Sequence, residues 1–223
     1  MSTGAAAGDF VTRLKKLDCC AVSDALDKLR LKGAVTGITE LASSRRIAGR
    51  VLTVKLGVGE PPVGKPRHVS TTAIEAAQPG DIIVVEQRSG VNAGSWGGIL
   101  TLGAKLRGVA GVIADGPVRD IDEARQHDFP VFGSGVTTFT ARGRIVELAT
   151  GGPVVIGDAV VNPGDYAIAD GSGVVFIAAE NIERVLAAAE EISAREAAMV
   201  QALREGKPIT EVMGANYENM LRN

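Results

Sequence analysis

Short apolar runs alternate with amphipathic segments through the middle of the chain. This pattern predicts buried strands at residues 81–86, 109–114 and 131–132, separated by helices at 97–107 and 121–127. Parallel strands need a crossover connection, usually a helix, so this order is typical of a parallel α/β layer. The first of these helices is expected to place four apolar residues in the core: Ile99, Leu100, Leu102 and Leu106.

The segment before this layer mixes helical and strand-like patterns. Helices are predicted at residues 10–17 and 71–77, and a strand at 50–56, where side chains of alternating polarity follow one another. A further helix is expected to begin at a cap formed by Ser23 or Asp24, since short polar side chains satisfy the first N–H groups of a helix.

Beyond residue 153 the pattern changes to short β segments separated by turn residues. Four such segments are predicted, at residues 153–156, 159–161, 166–169 and 174–177. The chain then closes with a long helix at 180–205, whose seam repeats at intervals of three and four: Ile182, Val185, Ala189, Ile192, Glu196, Met199 and Leu203. We therefore expect an α/β fold in a single domain of residues 1–223, with a parallel α/β layer, an antiparallel β portion and a long C-terminal helix. Residues 180–223 would form a C-terminal helical arm.

Composition narrows the classes of function that such a fold can serve. The 223 residues carry a net charge of −2, from 24 Lys and Arg against 26 Asp and Glu, which argues against a nucleic acid partner. The sequence shows no membrane-spanning apolar run and no signal-peptide pattern, and the adjacent Cys19 and Cys20 are poorly placed for a disulfide. We therefore expect a cytoplasmic protein without a membrane partner. With only two histidines, we expect any metal to be bound by oxygen.

A glycine-rich loop leads into the helix at 97–107 and forms the first candidate site. Glycine lets a ligand approach the backbone closely, and the unpaired N–H groups of a helix N-terminus attract anions. Gly97, Gly98, Ile99 and Leu100 could therefore bind a carboxylate or phosphate through their backbone N–H groups. The alternative is a tight turn needed only for packing. The loop matches neither a Walker motif nor a dinucleotide-binding motif.

Arg119 and Asp120 form the second candidate site, in a loop expected after the strand at 109–114. Ligands gather at the carboxyl ends of strands in parallel α/β sheets. Arg119 offers a cation to an enolate or a carboxylate, and Asp120 offers an oxygen ligand to Mg²⁺. The alternative is that Asp120 and Glu123 form a capping box for the next helix, which leaves Arg119 unexplained because a cation is unfavourable at a helix N-terminus.

Glu196 interrupts the apolar seam of the C-terminal helix. Burying a carboxylate is costly unless it is paired or protonated. Either the helix emerges into solvent at this point, or it delivers a carboxylate into a site, which could belong to a neighbouring subunit. The second interpretation makes the arm an oligomerisation element.

Two segments carry a resemblance to a known family. Residues 96–100 (Trp-Gly-Gly-Ile-Leu) and 107–120, which end in Asp-Gly-Pro-Val-Arg-Asp, are similar to the RraA-like family. That family includes regulators of ribonuclease E activity and class II 4-hydroxy-4-methyl-2-oxoglutarate aldolases. Its pattern of Gly, twenty residues, Arg-Asp, two residues and an acid is met by Gly98, Arg119, Asp120 and Glu123. The likeness covers most of the chain and implies a β/β/α swivelling-domain-like fold and a homotrimer or hexamer.

The resemblance also implies an activity and its residues. The activity would be a divalent-metal-dependent lyase that cleaves a small 4-hydroxy-2-oxo acid to pyruvate, decarboxylates oxaloacetate, or does both. The backbone amides of residues 97–100 would bind the substrate carboxylate, Arg119 would stabilise the enolate, and Asp120 would bind Mg²⁺ or another divalent cation such as Mn²⁺. Glu196 matches an acid that the aldolases supply from another subunit's C-terminal helix. The alternative is a non-catalytic regulator of ribonuclease activity that acts by protein–protein binding.

One position departs from the pattern of the aldolases. By resemblance, they carry an acid that helps to hold the catalytic water where this chain has Gly98. No carboxylate occurs between Glu86 and Asp115, so no neighbour along the loop replaces that acid. The resemblance therefore implies that metal and substrate binding persist, whereas proton transfer in the retro-aldol reaction lacks one of its groups.

Overall fold

The structure, a computed structural model, describes residues 3–60 and 67–214. Its helices are α1 (Thr3–Leu14), α2 (Cys19–Lys28), α3 (Thr71–Ala76), α4 (Gly98–Leu106), α5 (Ile121–Gln126), α6 (Ile182–Arg204) and α7 (Ile209–Val212). Its strands are β1 (Ala34–Val35), β2 (Thr39–Ala42), β3 (Ile47–Gly57), β4 (Ile82–Gln87), β5 (Gly111–Val118), β6 (Val131–Val136), β7 (Val146–Thr150), β8 (Val154–Ile156), β9 (Ala159–Val161), β10 (Tyr166–Asp170) and β11 (Gly173–Ile177). None of the helices described is long and apolar enough to cross a membrane.

One mixed sheet contains nine of these strands, in the order β1-β11-β10-β3-β4-β5-β6-β2 with β7 paired to β3 outside that order, and β8 and β9 form a separate two-stranded sheet. Strands β3 to β6 are parallel neighbours, whereas β10, β11 and β1 pair in antiparallel fashion. Strand β3 joins the two portions, because its first residues pair with β10 and its later residues pair with β4. The expected α/β fold, with its parallel layer, antiparallel portion and long C-terminal helix, is confirmed.

Both faces of the parallel layer are covered, which explains the unbroken apolar runs in the sequence. In β4, Ile83 and Val85 pack in the core beneath α3, α4 and α5, whereas Ile82 and Val84 pack in the core on the opposite face. Successive side chains of a strand point to opposite faces, so the part of β4 that is covered on both sides, residues 82–85, is apolar at every position, and the polar Glu86 and Gln87 come only at its end. Burying each of these apolar side chains contributes about 1.5–3 kcal/mol.

The C-terminal helix α6 covers a third core together with α1 and α2. Ile182, Val185, Ala189 and Ile192 of its predicted seam are buried there. The later seam positions are not buried, and Leu203 is 37% exposed. The arm was predicted to include residues 180–223, of which 215–223 lie outside the described residues.

Helix α4 corrects the predicted core positions. Only Leu100 of the four apolar residues is buried, while Ile99 is 85%, Leu102 41% and Leu106 79% exposed. The face that packs on the sheet consists instead of small and polar residues around Leu100: Gly98, Thr101 and Ala104. An apolar stripe, defined by Ile99, Leu102 and Leu106, is left on the surface of the chain.

Several boundaries differ from the prediction, among them that of the first helix, which is Thr3–Leu14 rather than 10–17, and two of the differences have a clear local cause. Helix α2 begins at Cys19 rather than near Ser23, because the Asp18 carboxylate accepts a hydrogen bond of 2.8 Å from the Ala21 N–H and caps the helix earlier. Strand β5 continues to Val118, through residues expected to form a loop. It does so with a register shift between Ala114 and Pro117, which is how an interior strand accommodates a residue without an N–H.

Candidate functional site

A cavity of about 270 Å³ lies where the parallel strands end at their carboxyl termini. Strand β5 leads directly to Arg119 and Asp120, and the loop after β4 brings the glycine-rich segment and the first turn of α4. The cavity is lined by every residue predicted to bind substrate or metal: Gly97, Gly98, Ile99, Leu100, Arg119 and Asp120. The two candidate sites found in the sequence are therefore one site, at the edge where parallel α/β sheets bind ligands.

The Asp120 carboxylate is directed at α4, not at the helix that it precedes. Asp120 has the left-handed conformation, with φ 59° and ψ 40°, and makes no side-chain capping bond to α5. Its Oδ2 accepts a hydrogen bond of 3.0 Å from the Gly98 N–H, and its Oδ1 accepts one of 3.1 Å from Nε of Arg119. The capping-box interpretation is therefore wrong. Left-handed backbone costs a non-glycine residue about 1 kcal/mol or more, and here it holds a carboxylate against the other candidate loop.

Glycines occur in the loop at the positions where the side chains of Arg119 and Asp120 lie against its backbone. A Cβ atom at Gly94 would lie 2.9 Å from Cγ of Arg119, and one at Gly97 would lie 2.8 Å from Oδ2 of Asp120. The loop is thus a turn, as the packing alternative required, but the groups that pack on it are the candidate functional side chains themselves.

Gly98 shows the closest approach among the described glycines. A Cβ atom at this position would lie 1.6 Å from Oε2 of Glu123, so the Glu123 carboxylate already fills the space of the absent side chain. A carboxylate therefore lies beside the Gly98 backbone, although it comes from α5 rather than from the loop, and Glu123 is not among the residues that line the cavity. Sequence reasoning placed Glu123 in the family pattern but found no replacement for the acid, because it searched only the loop.

Backbone N–H groups at the start of α4 face the same cavity. The Gly98 N–H is used by Asp120, whereas no hydrogen bond within residues 3–60 and 67–214 uses the N–H groups of Ile99 and Leu100. Neither group has an intrahelical partner, as is usual in the first turn of a helix. Two neighbouring N–H groups at a helix N-terminus are suited to a carboxylate.

Trp96 fixes the glycine-rich loop to α4 and to the loop that carries Arg119. Its indole is 2% exposed, and its Nε1–H donates a hydrogen bond of 2.9 Å to Oγ1 of Thr101, one turn into α4. The Arg119 N–H donates to the Trp96 carbonyl at 3.0 Å, and the Ser95 N–H donates to the Pro117 carbonyl at 2.8 Å. These bonds join the two loops that carry the site.

The cavity is also lined by residues that sequence reasoning missed. His68 precedes α3, after the carboxyl end of β3, while Thr140 and Arg142 follow the end of β6. The His68 pKa is lowered from its usual value by partial desolvation and by the nearby positive charge of Arg142. Their place after parallel strands was the signal available in the sequence, since the end of every strand in this layer contributes to the cavity.

Glu196 lies apart from this cavity in the single chain. It is half-buried on α6, and its pKa is raised by desolvation and by the nearby carboxylates of Asp18 and Asp24. Glu196 is thus partly exposed, so α6 has neither fully emerged into solvent at this residue nor buried it in its own core.

Asp120 and Glu123 suit a hard divalent cation whose other ligands are water and substrate oxygens. No group of three His, Cys, Asp or Glu side chains able to hold a metal is found in the part of the chain that the structure describes. However, the carboxylate oxygens of Asp120 and Glu123 both lie close to the backbone where α4 begins, at Gly97 and Gly98 respectively. Mg²⁺ is commonly bound by one or two carboxylates, with water and substrate oxygens as its other ligands. This pair suits that arrangement.

Comparison with known proteins identifies relatives over most of the chain. The family model described as RraA-like, Aldolase/RraA, matches residues 19–176. The chain is 25% identical over 203 residues to protein DlpA of Legionella pneumophila, covering 91% of this chain but only 33% of that protein. It is 28% identical over 197 residues to a Halalkalibacterium halodurans protein with the provisional name 4-hydroxy-4-methyl-2-oxoglutarate aldolase, covering 88% of this chain and 90% of the relative.

Solved structures agree with this relationship. An uncharacterized protein from Pseudomonas syringae superposes with a TM-score of 0.83 at 27% identity, covering 93% of this chain and 98% of that one. The fold is also that of RraAS2 from Streptomyces coelicolor, an unusual member of the RNase ES inhibitor RraA protein family. That structure has a TM-score of 0.78 at 24% identity and covers 88% of this chain and 98% of the other.

Proposed function

The chain belongs to the Aldolase/RraA family, and on this premise we propose that it is a divalent-metal-dependent lyase acting on small 2-oxo acids. The reactions would be retro-aldol cleavage of a 4-hydroxy-2-oxo acid to pyruvate and decarboxylation of oxaloacetate. The observation that carries the proposal is the convergence of Arg119, Asp120 and the free N–H groups of Ile99 and Leu100 on one cavity. A cation, a carboxylate and two aligned donors suit a substrate that is itself a carboxylate and becomes an enolate.

Each of these groups would have a separate task. The N–H groups of Ile99 and Leu100 would bind the 2-oxo acid carboxylate and fix its orientation. Asp120, with Glu123 beside it, would hold Mg²⁺ or Mn²⁺, and such a cation polarises a carbonyl when bound. Arg119 would stabilise the negative charge that develops on the carbonyl oxygen as the C3–C4 bond breaks. Removing one such electrostatic group from an active site typically costs about 3–4 kcal/mol of transition-state stabilisation.

Glu123 would distinguish the two reactions. Retro-aldol cleavage requires removal of the proton from the 4-hydroxyl group, while the electrons of the C3–C4 bond move to form the pyruvate enolate. Decarboxylation of oxaloacetate forms the same enolate by loss of CO₂ and has no hydroxyl proton to remove. A carboxylate at the Gly98 position, as Glu123 provides, would orient the water that accepts this proton. On this proposal, Glu123 takes the place of the acid that the loop lacks at Gly98.

We also propose that the active form is a homotrimer or hexamer. The apolar stripe of Ile99, Leu102 and Leu106 begins in the turn of α4 that lines the cavity, and it is uncovered in the single chain. A second copy placed there would lie next to the site, and its α6 would be the source of Glu196. This assigns the half-buried carboxylate a role that its own chain does not give it.

The proposed reaction is tested by pyruvate release. Purified protein would be assayed with oxaloacetate and with 4-hydroxy-4-methyl-2-oxoglutarate, with Mg²⁺ and after its removal by chelation. We expect Mg²⁺-dependent turnover of at least one substrate, and loss of it in Asp120→Ala. Absence of turnover on both substrates, or an Asp120→Ala variant as active as the wild type, would sink the proposal.

The alternative is a regulator of ribonuclease activity that acts by protein–protein binding without catalysis. It draws on the fold shared with the RNase ES inhibitor family member and on the uncovered apolar stripe. Under this alternative the protein binds a ribonuclease tightly, Asp120→Ala leaves that binding intact, and Leu106→Glu abolishes it. Binding measured by surface plasmon resonance with both variants would separate the two functions.

A further inference from the structure

Gln87, the last residue of β4, carries a buried side-chain amide to which the proposed reaction assigns no task. The residue is 4% exposed, and it precedes the glycine-rich loop that leads to α4. Burying an amide is costly unless its donors and acceptors are paired. The partners of Gln87 therefore indicate what this amide does.

The amide is paired at both ends, and every partner belongs to the same loop. Its Nε2 donates hydrogen bonds of 3.0 Å to the Val91 carbonyl and 3.1 Å to the Ala93 carbonyl. Its Oε1 accepts bonds from the N–H and the hydroxyl group of Ser89, at 3.3 Å and 3.1 Å. Two carbonyl partners require the NH₂ group, and a backbone N–H partner requires the oxygen, so the network fixes the orientation of the amide. One side chain thus ties three residues of the loop to the end of β4.

Ala93 is the residue from which the loop runs along the candidate site. The backbone of the next residue, Gly94, lies against Arg119, since an added Cβ atom there would be 2.9 Å from Cγ of the arginine. Further on, the Trp96 carbonyl accepts a backbone hydrogen bond from the Arg119 N–H, and such a bond does not depend on side-chain identity. Gln87 is therefore a side chain through which the sequence determines where this run begins.

Gln87 also packs against the strand that leads to Arg119 and Asp120. A Cβ atom at Gly116 of β5 would lie 2.7 Å from Cβ of Gln87 and 3.0 Å from its carbonyl oxygen. A bulkier side chain at position 87 would therefore disturb β5 as well as the loop. A substitution that tests the amide alone has to keep its size.

We propose that Gln87 is a positioning residue, which acts through the loop to place the N–H donors of Ile99 and Leu100. The inference rests on the proposed function, in which these two donors bind the carboxylate of the 2-oxo acid. Gln87 does not line the cavity, so it would touch neither substrate nor cation. The carboxylate is bound in the ground state and in the transition state alike. Misplaced donors should therefore weaken substrate affinity more than they slow bond cleavage.

Gln87→Glu tests the two donated bonds at nearly constant volume. It replaces the NH₂ group by an oxygen, which faces two carbonyls, and it retains an acceptor for Ser89. Ser89→Ala is the matched control, because it removes a hydroxyl partner of the amide and leaves both bonds from Nε2 in place. Gln87→Met removes the amide without adding a charge, and it serves as the second variant if Gln87→Glu does not fold.

Calorimetry would measure dissociation constants for Mg²⁺ alone and for pyruvate in the presence of Mg²⁺. We expect both Gln87 variants to weaken pyruvate binding about tenfold, the equivalent of one hydrogen bond to a charged group. Affinity for Mg²⁺ should not change, because Asp120 lies outside the loop. In pyruvate release, KM should rise by a similar factor and kcat should change by less than about threefold. Ser89→Ala should change none of these values.

A purely structural amide gives a different result. Its loss would lower the resistance to urea and leave the pyruvate affinity and KM of the folded protein unchanged. That result would overturn the positioning role, as would an equal loss of Mg²⁺ and pyruvate affinity.

Amide hydrogen exchange separates this inference from the lyase activity. The N–H groups of Gly94 and Ser95 are bonded to carbonyls outside the loop, and their exchange can be followed by NMR without any ligand. Gln87→Glu should speed exchange at both by at least about tenfold and leave exchange within β4 unchanged. Faster exchange in the variant, with no pyruvate release by the wild type, would overturn the lyase activity alone. Turnover by the wild type, with unchanged exchange and affinity in Gln87→Glu, would overturn the positioning role alone.

Discussion

Replacing Gly98 by alanine tests the role of Glu123 without altering any charged residue. The added Cβ atom would lie 1.6 Å from Oε2 of Glu123 and 2.6 Å from its Cδ. An ordinary contact is roughly 3.5 Å, so the carboxylate has to withdraw by about 2 Å. Asp120 is less affected, since its Cβ would lie 3.3 Å away. The substitution thus moves one carboxylate out of the site and leaves the other nearly in place.

The expected loss is selective. Misplacing a catalytic group by about 1 Å costs roughly 100-fold in rate, so retro-aldol cleavage should fall by at least about that factor. Decarboxylation of oxaloacetate, which needs no hydroxyl proton removed, should fall by less than about tenfold. Stability should change by no more than about 1 kcal/mol, because the helix preference for alanine offsets the strained Glu123 rotamer. The assay is steady-state pyruvate release from each substrate, with urea unfolding as the stability measurement.

Gly103→Ala is the matched control in the same helix. A Cβ atom there would meet Cγ2 of Ile74 at 3.8 Å, an ordinary contact, so both activities should remain and stability should rise by up to about 1 kcal/mol. Combining Gly98→Asp with Glu123→Ala should restore retro-aldol activity, because the acid then enters from the loop. If Gly98→Ala kept full retro-aldol activity, or lost both activities equally, the assignment of Glu123 would be refuted.

Three further predictions follow from the rest of the structure. The raised pKa of Glu196 means that its carboxyl group binds a proton more tightly in the native state than in the unfolded state. The stability contributed by the protonated carboxyl is therefore present at low pH and is lost as the pH rises through the pKa of the native state. Glu196→Gln should therefore increase the free energy of unfolding at pH 7 by at most about 1 kcal/mol and not at pH 4; an equal effect at both pH values would contradict the cause given. Leu106→Glu should reduce the molar mass in light scattering towards that of one chain, whereas Val160→Glu, on β9 and also exposed, should not; an unchanged oligomer in both would remove α4 from the interface. Thr101→Val should cost about 1–3 kcal/mol in urea unfolding because it leaves the buried Trp96 N–H without an acceptor, and Thr101→Ser should restore most of that loss; a neutral valine variant would show that this bond does not anchor the loop.

The parallel layer could be predicted because its strands are covered on both faces. In β4 and the first half of β5 this gives a continuous apolar run bounded by turn residues, which can be recognised from the sequence alone. The same reasoning failed for α4, where the sequence shows four apolar residues on several sides of the helix and only Leu100 enters the core. The sequence of such a helix does not reveal whether its apolar stripe packs on its own sheet or stays on the surface.

Short strands at the edges of the sheet were beyond prediction for a different reason. Strands β1 and β2 have two and four residues, and their pairing with β11 and β6 depends on chain segments distant in sequence. Strands this short contain no clear alternation of polar and apolar residues from which they could be predicted.

Within the site, Arg119 and Asp120 could be found because a charged pair after a buried strand is unusual. Glu123 was found only as part of a family pattern, since its approach to Gly98 depends on how α4 and α5 pack. For Arg142 and His68 the sequence offers only their place after parallel strands, because nothing in their own segments shows that these loops line one cavity.

The central claim is that Arg119, Asp120 and the first turn of α4 hold a 2-oxo acid together with a divalent cation. A crystal structure with Mg²⁺ and pyruvate tests it most directly. The account predicts the cation on the Asp120 carboxylate and the pyruvate carboxylate on the N–H groups of Ile99 and Leu100, with Glu196 of a second subunit near the site. A cation bound away from Asp120, or pyruvate bound outside this cavity, would contradict it.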